Sequence, residues 1–335
     1  MRIFVTGASG WIGSAVVPEL LGAGHEVLGL ARSDASAAAI TAAGAEALRG
    51  DLDDLDALRA GAGGSDGVIH LAFIHDFTDI ERAGTADRRA IETMGATLEG
   101  SGKPLVIASG TPALPGHVAT ERDAFAGNSP MAVRGANARA ALDMAARGVR
   151  SSVVGLPRTV HGDGDKHGFI ARMIGFAREN GVSGYVGDGS NRWPAVHVLD
   201  AAHLFRLAVE QAPAGSRLHA VGDEGVPTRD IAGVIGRHLN LPVASVAAGD
   251  FGFLGQKFTL GNTVFFDTGR VWSDYTFHSP LDGSGAGLKF GLGAGIYFLW
   301  GQAAMLRIEA AYSPDAVSEN PTLPVGIYVE DGIMF

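Results

Sequence analysis

The sequence predicts an α/β protein with a Rossmann-type, doubly wound parallel sheet, followed by a carboxyl-terminal antiparallel β segment. Short apolar, β-rich runs alternate with helical stretches over roughly the first 250 residues, and a glycine-rich turn joins the first run to the first helix. Beyond Gly255 the helical spacing disappears and long alternating segments replace it. We therefore expect two parts, a nucleotide-binding domain at 1–255 and an antiparallel β segment at 256–335.

The glycine-rich turn stands at the start of the chain. The run "RIFVTG" predicts a strand, "GASGWIG" supplies Gly7, Gly10 and Gly13, and "SAVVPELLGAG" continues with helical spacing. Glycines at these places let the backbone turn sharply and approach a pyrophosphate, and the helix N-terminus presents free N–H groups to it. This context predicts a dinucleotide site.

The end of the second predicted strand, "HEVLGLA", indicates which dinucleotide is bound. NAD-type sites place an acidic residue there, against the ribose 2′-hydroxyl, whereas this chain has Arg32 and Ser33. An arginine suits a 2′-phosphate, so we predict NADP as the cofactor, with NAD less favoured. The alternative is that Arg32 is a solvated loop cation.

The alternation of strands and helices continues along the chain. Further strands are predicted at "AEALRGDL", ending at Asp51 and Leu52, at "SDGVIHLAF", ending near Leu71 to Phe73, and at "KPLVIASGT". This order predicts a parallel sheet whose ligands lie at the carboxyl ends of its strands. The helices are predicted at 80–99, 131–147, 169–179, 200–210 and 228–238.

Six motifs in order carry a family resemblance: "TGASGWIG", "GDLDD", "VIHLAF", "VIASGT", "LPRTVHGDGD" and "RWPAVHVLDAAHLFRLA". Over about residues 1–255 the chain resembles an extended short-chain dehydrogenase/reductase of the NAD-dependent epimerase/dehydratase branch. The resemblance implies a nicotinamide cofactor, with the adenine beside Asp51 and Leu52 and the ribose over Leu71 and Ala72. The cofactor-binding residues that it implies are Gly7, Gly10, Trp11, Ile12, Gly13, Arg32, Ser33, Asp51, Leu52, Leu71, Ala72 and, near the nicotinamide, Pro157.

The chain departs from that family in its acid/base residues. The family uses a tyrosine followed four residues later by a lysine, which lowers the pKa of the phenol. In the expected helix, "SPMAVRGANAR", Met131 and Gly135 stand at those places. Tyr185 is the only tyrosine before residue 275, and Gly189 stands four residues after it. We therefore expect slow turnover, or cofactor binding without turnover.

Two hydroxyl residues are the candidate catalytic residues. By the resemblance, Thr111 in "ASGT" aligns with the residue that holds a substrate carbonyl, and Ser109 is its neighbour. The alternative is that these hydroxyls only cap the end of a strand. Four loop residues could replace the missing acid, although each is more often structural: His75, His161, Asp163 and His197.

Composition limits the partners. The chain has 335 residues, of which 46% are hydrophobic, with a formal net charge of −10 and no cysteine. This charge disfavours nucleic acid, and thiolate metal sites and disulfides are excluded. The histidine and aspartates of "HGDGD" stand too close together to encircle an ion, so no metal is predicted. A small-molecule substrate is expected, and the short apolar stretch after Arg2 favours a cytoplasmic protein without a signal peptide.

The last 80 residues have a different character. In "GAGLKFGLGAGIYFLW" apolar residues alternate with glycines, which predicts a strand. The segments "FFDTGRVW", "GAGLKF" and "AYSP", with the terminal Phe335, resemble the closing strands of an Omp85/BamA-type surface-antigen barrel. The alternative is a soluble antiparallel sheet. Membrane association is expected only through this segment, and the chain resembles a junction of two unrelated pieces.

The function that follows is an NADP-dependent oxidoreductase acting on a small carbonyl or hydroxyl compound held by Thr111 and Ser109. Two alternatives remain open at this point. One is a redox sensor that binds NADP without turnover, which the missing tyrosine and lysine favour. The other is a membrane β protein whose amino-terminal part is incidental.

Overall fold

The computed structural model describes residues 1–74, 80–112, 118–123, 125, 132–166 and 168–246, together with the backbone of four strands between residues 258 and 333. The chain divides into two compact units. The first contains Met1–Gly127 and Met131–Phe253, and the second contains Asn128–Pro130 and Leu254–Phe335.

A seven-stranded sheet forms the centre of the first unit. Its strands are β1 (Arg2–Thr6), β2 (Glu26–Ala31), β3 (Glu46–Arg49), β4 (Gly67–His70), β5 (Pro104–Gly110), β6 (Arg150–Leu156) and β10 (Ser216–His219). They lie in the order β10-β6-β5-β4-β1-β2-β3, and every neighbouring pair is parallel. The strand order reverses direction between β1 and β4, which is where ligands bind in such sheets. The predicted fold class is confirmed.

Helices cover both faces of this sheet and also pack on the smaller sheets that follow it. In the described part of the chain they are α1 (Gly13–Gly22), α2 (Asp34–Ala42), α3 (Leu55–Gly63), α4 (Ile80–Thr97), α5 (Ala132–Asp143), α6 (Phe169–Asn180), α7 (Val198–Gln211) and α8 (Thr228–Leu239). The helices predicted from the sequence agree with these bounds to within a few residues. A 3₁₀ turn at Met144–Arg147 ends the segment that was predicted as one helix over 131–147.

Two apolar clusters lie on opposite faces of the sheet because successive strand residues point to opposite sides. Val5 belongs to the cluster that includes residues of α1 and α7. Its neighbour Phe4 belongs to the cluster formed with α3, α4 and α5. Both side chains are fully buried.

Helix α7 packs on α1 through charged as well as apolar contacts. Arg206 Nε donates to Glu19 Oε1 at 2.7 Å, and His25 Nε2 lies 2.8 Å from Glu210 Oε1. Arg206 also binds Glu210, at 3.0 Å. The first helix of the chain is therefore held by a helix about 185 residues further on.

Smaller sheets follow β6. Strands β7 (Thr159–His161), β9 (Arg192–His197) and β11 (Asp223–Pro227) form a three-stranded sheet in the order β11-β9-β7. Strands β8 (Ser183–Val186) and β12 (Val243–Val246) form a parallel pair.

Two predicted strand ends are wrong by a few residues. Strand β3 ends at Arg49 rather than at Leu52, because Asp51 Oδ1 accepts hydrogen bonds from the amides of Asp53 and Asp54 and so forms a turn. Strand β4 ends at His70, before Leu71. The amide of Ala72, two residues after the strand end, donates a hydrogen bond to the Thr6 hydroxyl. A side-chain oxygen therefore takes the place of a backbone acceptor on the neighbouring strand.

The second unit contains four antiparallel strands, which agrees with the antiparallel β segment that the sequence predicted. They are β13 (Phe258–Gly269), β14 (Lys289–Trp300), β15 (Ala304–Tyr312) and β16 (Val325–Ile333), paired in that order. Register pairs Ile296 with Ile308, and Ile308 with Val329. Elsewhere, within the described residues, no helix is both long and apolar enough to cross a membrane.

We predict that Gly61 cannot accept a methyl group. A Cβ on this α3 residue would lie 2.5 Å from the ring of the buried Phe4. Gly61→Ala should therefore lower the free energy of unfolding by about 1 to 3 kcal/mol, although alanine has a better helix propensity than glycine. Gly175→Ala is the control, since a Cβ at that α6 residue meets nothing within 4 Å. It should raise stability by about 0.5 to 1 kcal/mol. Urea unfolding of both variants measures this, and equal effects would contradict the packing of α3 on β1.

Candidate active site

The turn between β1 and α1 requires glycine for two different reasons. Gly7 has φ +70°, and a Cβ there would lie 2.8 Å from the amide nitrogen of Ala72. A Cβ on Gly13 would lie 2.1 Å from the carbonyl oxygen of Gly7. Gly10 closes the turn by donating its amide to the same oxygen at 2.9 Å. Side chains would therefore fill or distort the concave space above the turn.

The N-terminus of α1 is open to a ligand. No side chain caps it, and the amides of Trp11 and Ile12 have no hydrogen-bond acceptor among the described residues. Such a helix end attracts anions through its free N–H groups and its dipole. The Trp11 indole donates to the carbonyl oxygen of Val160 at 2.9 Å and so holds the turn against β7. The residues present fit a dinucleotide pyrophosphate.

Arg32 and Ser33 follow β2 but differ in what they can contribute. Arg32 is exposed and makes no ion pair or hydrogen bond with the described residues. The Ser33 hydroxyl accepts from the amide of Ser36 at 3.2 Å and caps α2. Arg49, at the end of β3, pairs with Asp34 at 3.2 Å. Arg32 is thus the free cation at this edge, whereas Ser33 has a structural role.

The remaining residues implied by the resemblance lie on the same edge of the sheet. Asp51 and Leu52 follow β3, with the Asp51 carboxylate facing its own turn and Leu52 buried in the core. Leu71 and Ala72 follow β4, and Pro157 is buried directly after β6. Their contacts to a cofactor remain predictions.

A buried polar network, which was not predicted from the sequence, lies directly beneath this edge. The His70 ring binds the Thr6 hydroxyl at 2.7 Å through Nδ1 and Asp87 at 3.0 Å through Nε2. The second carboxylate oxygen of Asp87 accepts from Asn137 at 2.7 Å and from Arg134 at 3.2 Å. The network therefore joins β1, β4, α4 and α5.

The charges in this network stabilise one another. Burial raises the pKa of Asp87, but the hydrogen bond to His70 and the charges of His70 and Arg134 outweigh burial, so the pKa lies below its usual value. Burial lowers the pKa of Arg134, and Asp87 opposes that effect. Arg134 also donates to the carbonyl oxygen of Ala108 at 2.9 Å, and its guanidinium lies 4.2 Å from the centre of the Phe73 ring.

The spacing of residues on α5 and α4 contains a pattern from which this network could have been predicted. Arg134 and Asn137 share the spacing of the small buried residues Ala138 and Ala141 on α5, so they lie on the helix face that points to the core. A charged residue on such a face needs a buried partner, and Asp87 is the corresponding residue on α4.

Gly135, which stands where the sequence led us to expect the family's lysine, has no room for a longer side chain. A Cβ on Gly135 would lie 2.8 Å from Phe125 Cδ2, so the aromatic ring occupies the space that a longer side chain needs. Met131 and His75 lie outside the described residues. Tyr185 lies on β8 beside Gly189, within the β8–β12 pair and not on the central sheet.

Ser109 and Thr111 are both at the carboxyl end of β5, and Ser109 lines a cavity there. Its side chain is 3% exposed and its Oγ makes no hydrogen bond. The cavity has a volume of about 410 Å³ and lies between α5 and the ends of β5, β6 and β10. The Thr111 amide donates to the carbonyl oxygen of Leu156 at 2.9 Å, which extends the pairing of β5 with β6 by one residue.

The other acid/base candidates lie around β7 and β9. The rings of His161 and His197 are 5.5 Å apart and edge to face. A Cβ on Gly162 would lie 3.3 Å from His197 Nε2 and 3.5 Å from the Trp11 ring, so this pair adjoins the glycine turn. Asp163 is exposed in the following loop. No set of three metal-binding side chains comes together among the residues that the structure describes.

The parallel sheet, the reversal point and the open glycine turn define a Rossmann-like protein built to hold a nucleotide. A family model described as the NAD dependent epimerase/dehydratase family matches residues 3–221. The chain belongs to this family, whose members are oxidoreductases and epimerases of the short-chain dehydrogenase/reductase type, and the resemblance expected for residues 1–255 is confirmed at that level. The surface-antigen resemblance of 256–335 stays a prediction, since the family match ends before it.

Comparisons with individual proteins agree with this assignment. An uncharacterised protein of Saccharomyces cerevisiae is 49% identical over 261 residues, which are 76% of this chain and 87% of the yeast protein. A 2-alkyl-3-oxoalkanoate reductase of Stenotrophomonas maltophilia is 28% identical over 248 residues, 69% of this chain and 73% of that enzyme. The solved structure of MoeE5 with UDP-glucuronic acid and NAD aligns with a TM-score of 0.59 at 25% identity and covers 74% of this chain and 86% of MoeE5.

We predict that Asp87→Ala destabilises the protein by about 3 to 5 kcal/mol at pH 7, because it leaves the buried charge of Arg134 without its partner. Asp56→Ala, which removes an exposed partner of Arg59, is the control and should cost less than about 1 kcal/mol. The pKa of Asp87 in the folded protein lies below the ordinary value of an aspartate. Its stabilisation is therefore present above about pH 4 and is lost as the pH falls through the folded pKa.

Thermal unfolding between pH 3 and pH 7 measures both effects. Between pH 7 and pH 3 the melting temperature of the variant should fall less than that of the wild type, because the variant has no Asp87 to become protonated. A variant that melts like the wild type at pH 7 would show that the network contributes no net stability.

Proposed function

We propose that the chain is an oxidoreductase that prefers NADP and acts on a small carbonyl or hydroxyl compound. The observation that carries the proposal is the open N-terminus of α1 above the glycine turn, together with Arg32 after β2, which pairs with none of the described residues. A pyrophosphate suits the first feature and a ribose 2′-phosphate suits the second.

In this proposal different residues bind the pyrophosphate and the 2′-phosphate of the cofactor. The amides of Trp11 and Ile12 bind the pyrophosphate, which approaches closely because Gly7, Gly10 and Gly13 carry no side chains. Arg32 binds the 2′-phosphate. Ser33 supports this indirectly, because its cap fixes the start of α2 beside Arg32.

The catalytic residues proposed are Ser109 and Thr111. The bound nicotinamide supplies a hydride to a carbonyl carbon or accepts one from a carbinol. The hydroxyls hold the substrate oxygen and orient it at the end of β5. An unperturbed alcohol is a poor acid, so the proton must come from another group.

The relatives support the proposed reaction class, but the cofactor of the MoeE5 structure differs from the one proposed for this chain. The Stenotrophomonas maltophilia relative is named as a reductase of a 3-oxo acid, which is a carbonyl substrate. The MoeE5 structure holds NAD, which favours NAD for the fold in general. Arg32 is the feature of this chain that favours NADP, because no acidic side chain stands in its place.

A second candidate is a domain that binds NADP and senses its redox state without turnover. The observation in its favour is the contact of Gly135 with Phe125, which leaves no room for the family's lysine. The two candidates share the binding site and differ only in turnover.

We predict tighter binding of NADPH than of NADH, by about 1 to 3 kcal/mol, because a guanidinium–phosphate contact is charge-assisted. Arg32→Ala should remove this difference and leave NADH affinity unchanged. Arg59→Ala, an exposed arginine of α3, is the matched control and should alter neither affinity. Fluorescence titration with both cofactors measures the affinities. Equal affinities in the wild type would refute the NADP assignment.

We predict slow reduction of carbonyl compounds by NADPH, since general acid/base help worth about a hundredfold to ten-thousandfold is missing. The double variant Ser109→Ala with Thr111→Ala should lower the remaining rate about a hundredfold, by analogy with the loss of a donor to a developing oxyanion. Its NADPH affinity should stay as in the wild type, and Thr97→Ala, an exposed threonine of α4, should keep the full rate. Rapid wild-type turnover that survives the double substitution would place the carbonyl elsewhere.

A further inference from the structure

The cavity beside Ser109 carries an inference about the substrate. We infer that it binds a small organic carboxylate, so that the compound reduced or oxidised is an acidic one, an oxo or hydroxy acid. The inference rests on the proposed function, because it names the class of that substrate.

The floor of the cavity is set by strand register. Ser109 pairs with Gly155, which pairs in turn with His219 across β5, β6 and β10. Two residues earlier, Val153 pairs with Arg217. Paired residues of neighbouring strands, and residues two apart on one strand, point to the same face of a sheet. The hydroxyl, the imidazole and the guanidinium therefore share one face.

Gly155 makes the space between these side chains. A Cβ there would lie 3.0 Å from His219 Cδ2 and 3.3 Å from the carbonyl oxygen of Gly110. Above the floor, α5 contributes the small residues Gly135, Ala136 and Ala138, together with Arg139. The volume of about 410 Å³ falls in the range of small-molecule sites.

Ser109 shows that the cavity is suited to a polar ligand. Its Oγ is buried and has no hydrogen-bond partner. A buried hydroxyl without a partner is costly and uncommon, so it needs a reason. The His219 ring likewise has no hydrogen bond to the described residues. Both groups are available to an oxygen atom placed between them.

The charges around the cavity favour an anion. Three arginines and one aspartate are among the described lining residues, and Arg139 makes no ion pair with the described part of the chain. Arg217 uses one nitrogen for the carbonyl oxygen of Asp123, at 3.1 Å, and keeps its other donors. The Asp123 carboxylate accepts from the amide and the hydroxyl of Thr120. A carboxylate bound by Arg217 and His219 would leave a second oxygen of the ligand for Ser109.

The test uses the full chain without cofactor and two probes, acetoacetate and its neutral methyl ester. Calorimetric titration should show saturable binding of acetoacetate and binding of the ester at least tenfold weaker. Arg217→Ala should weaken acetoacetate binding about tenfold or more, and Gly155→Ala should do the same by filling the gap. Arg178→Ala, an exposed arginine of α6, should change nothing.

Ser109→Ala separates a ligand-binding role from a structural one. Because the hydroxyl has no partner in the free protein, its removal should leave the melting temperature unchanged or raise it, yet weaken acetoacetate binding. A lower melting temperature with unaltered binding would overturn the inference. So would equal affinities for the acid and the ester, or tighter binding of inorganic phosphate than of acetoacetate.

These outcomes are distinguishable from failure of the proposed function. Acetoacetate binding without NADPH binding would leave the carboxylate site standing and refute the oxidoreductase, and with it the role of the acid as the compound reduced or oxidised. NADPH binding with turnover of neutral ketones, but no binding of acetoacetate, would do the reverse.

Discussion

The buried contact of His70 with Asp87 is the constraint on which the arrangement of the nucleotide edge depends. The Asp87 carboxylate on α4 forms hydrogen bonds with His70 of β4 and Asn137 of α5. Because the other ring nitrogen of His70 binds the Thr6 hydroxyl, Asp87 also fixes that hydroxyl indirectly. That hydroxyl accepts a hydrogen bond from the amide of Ala72, and Ala72 lies against Gly7 of the first turn. The position of the cofactor turn is thus set from inside the protein, by hydrogen bonds that cost more to break than surface contacts.

The same side of the sheet shows how a site can arise from small residues. Gly135 and Gly155 each lack a side chain where a larger one would meet a neighbour, Phe125 in one case and His219 in the other. The first glycine stands where the sequence led us to expect the family's lysine, and the second opens a gap beside Ser109. Both glycines border the same cavity, one from α5 and the other from the sheet.

Much of the fold could be predicted from the sequence, because each central strand is a short apolar run and the glycine turn has a fixed spacing. The strand ends after Arg49 and His70 could not be placed, since Asp51 binds amides beyond its own run and the Thr6 side chain that binds Ala72 belongs to a different strand. The buried network and the cavity needed the register between distant strands and helices. Asp87 and Arg134 are separated by 47 residues, and although helical spacing places Arg134 on a core face, it does not identify Asp87 as its partner.

The packing of α7 on α1 has a consequence for protein synthesis. The apolar face of β1 that carries Val5 is covered by a cluster that includes Phe205 and Val209, and Glu19 finds its partners at His203 and Arg206. A ribosome makes α1 first, so this helix must wait for nearly 190 further residues before it is enclosed. Until then the emerging chain exposes an unfinished core, and the period of exposure is set by the rate of translation rather than by the rate of folding.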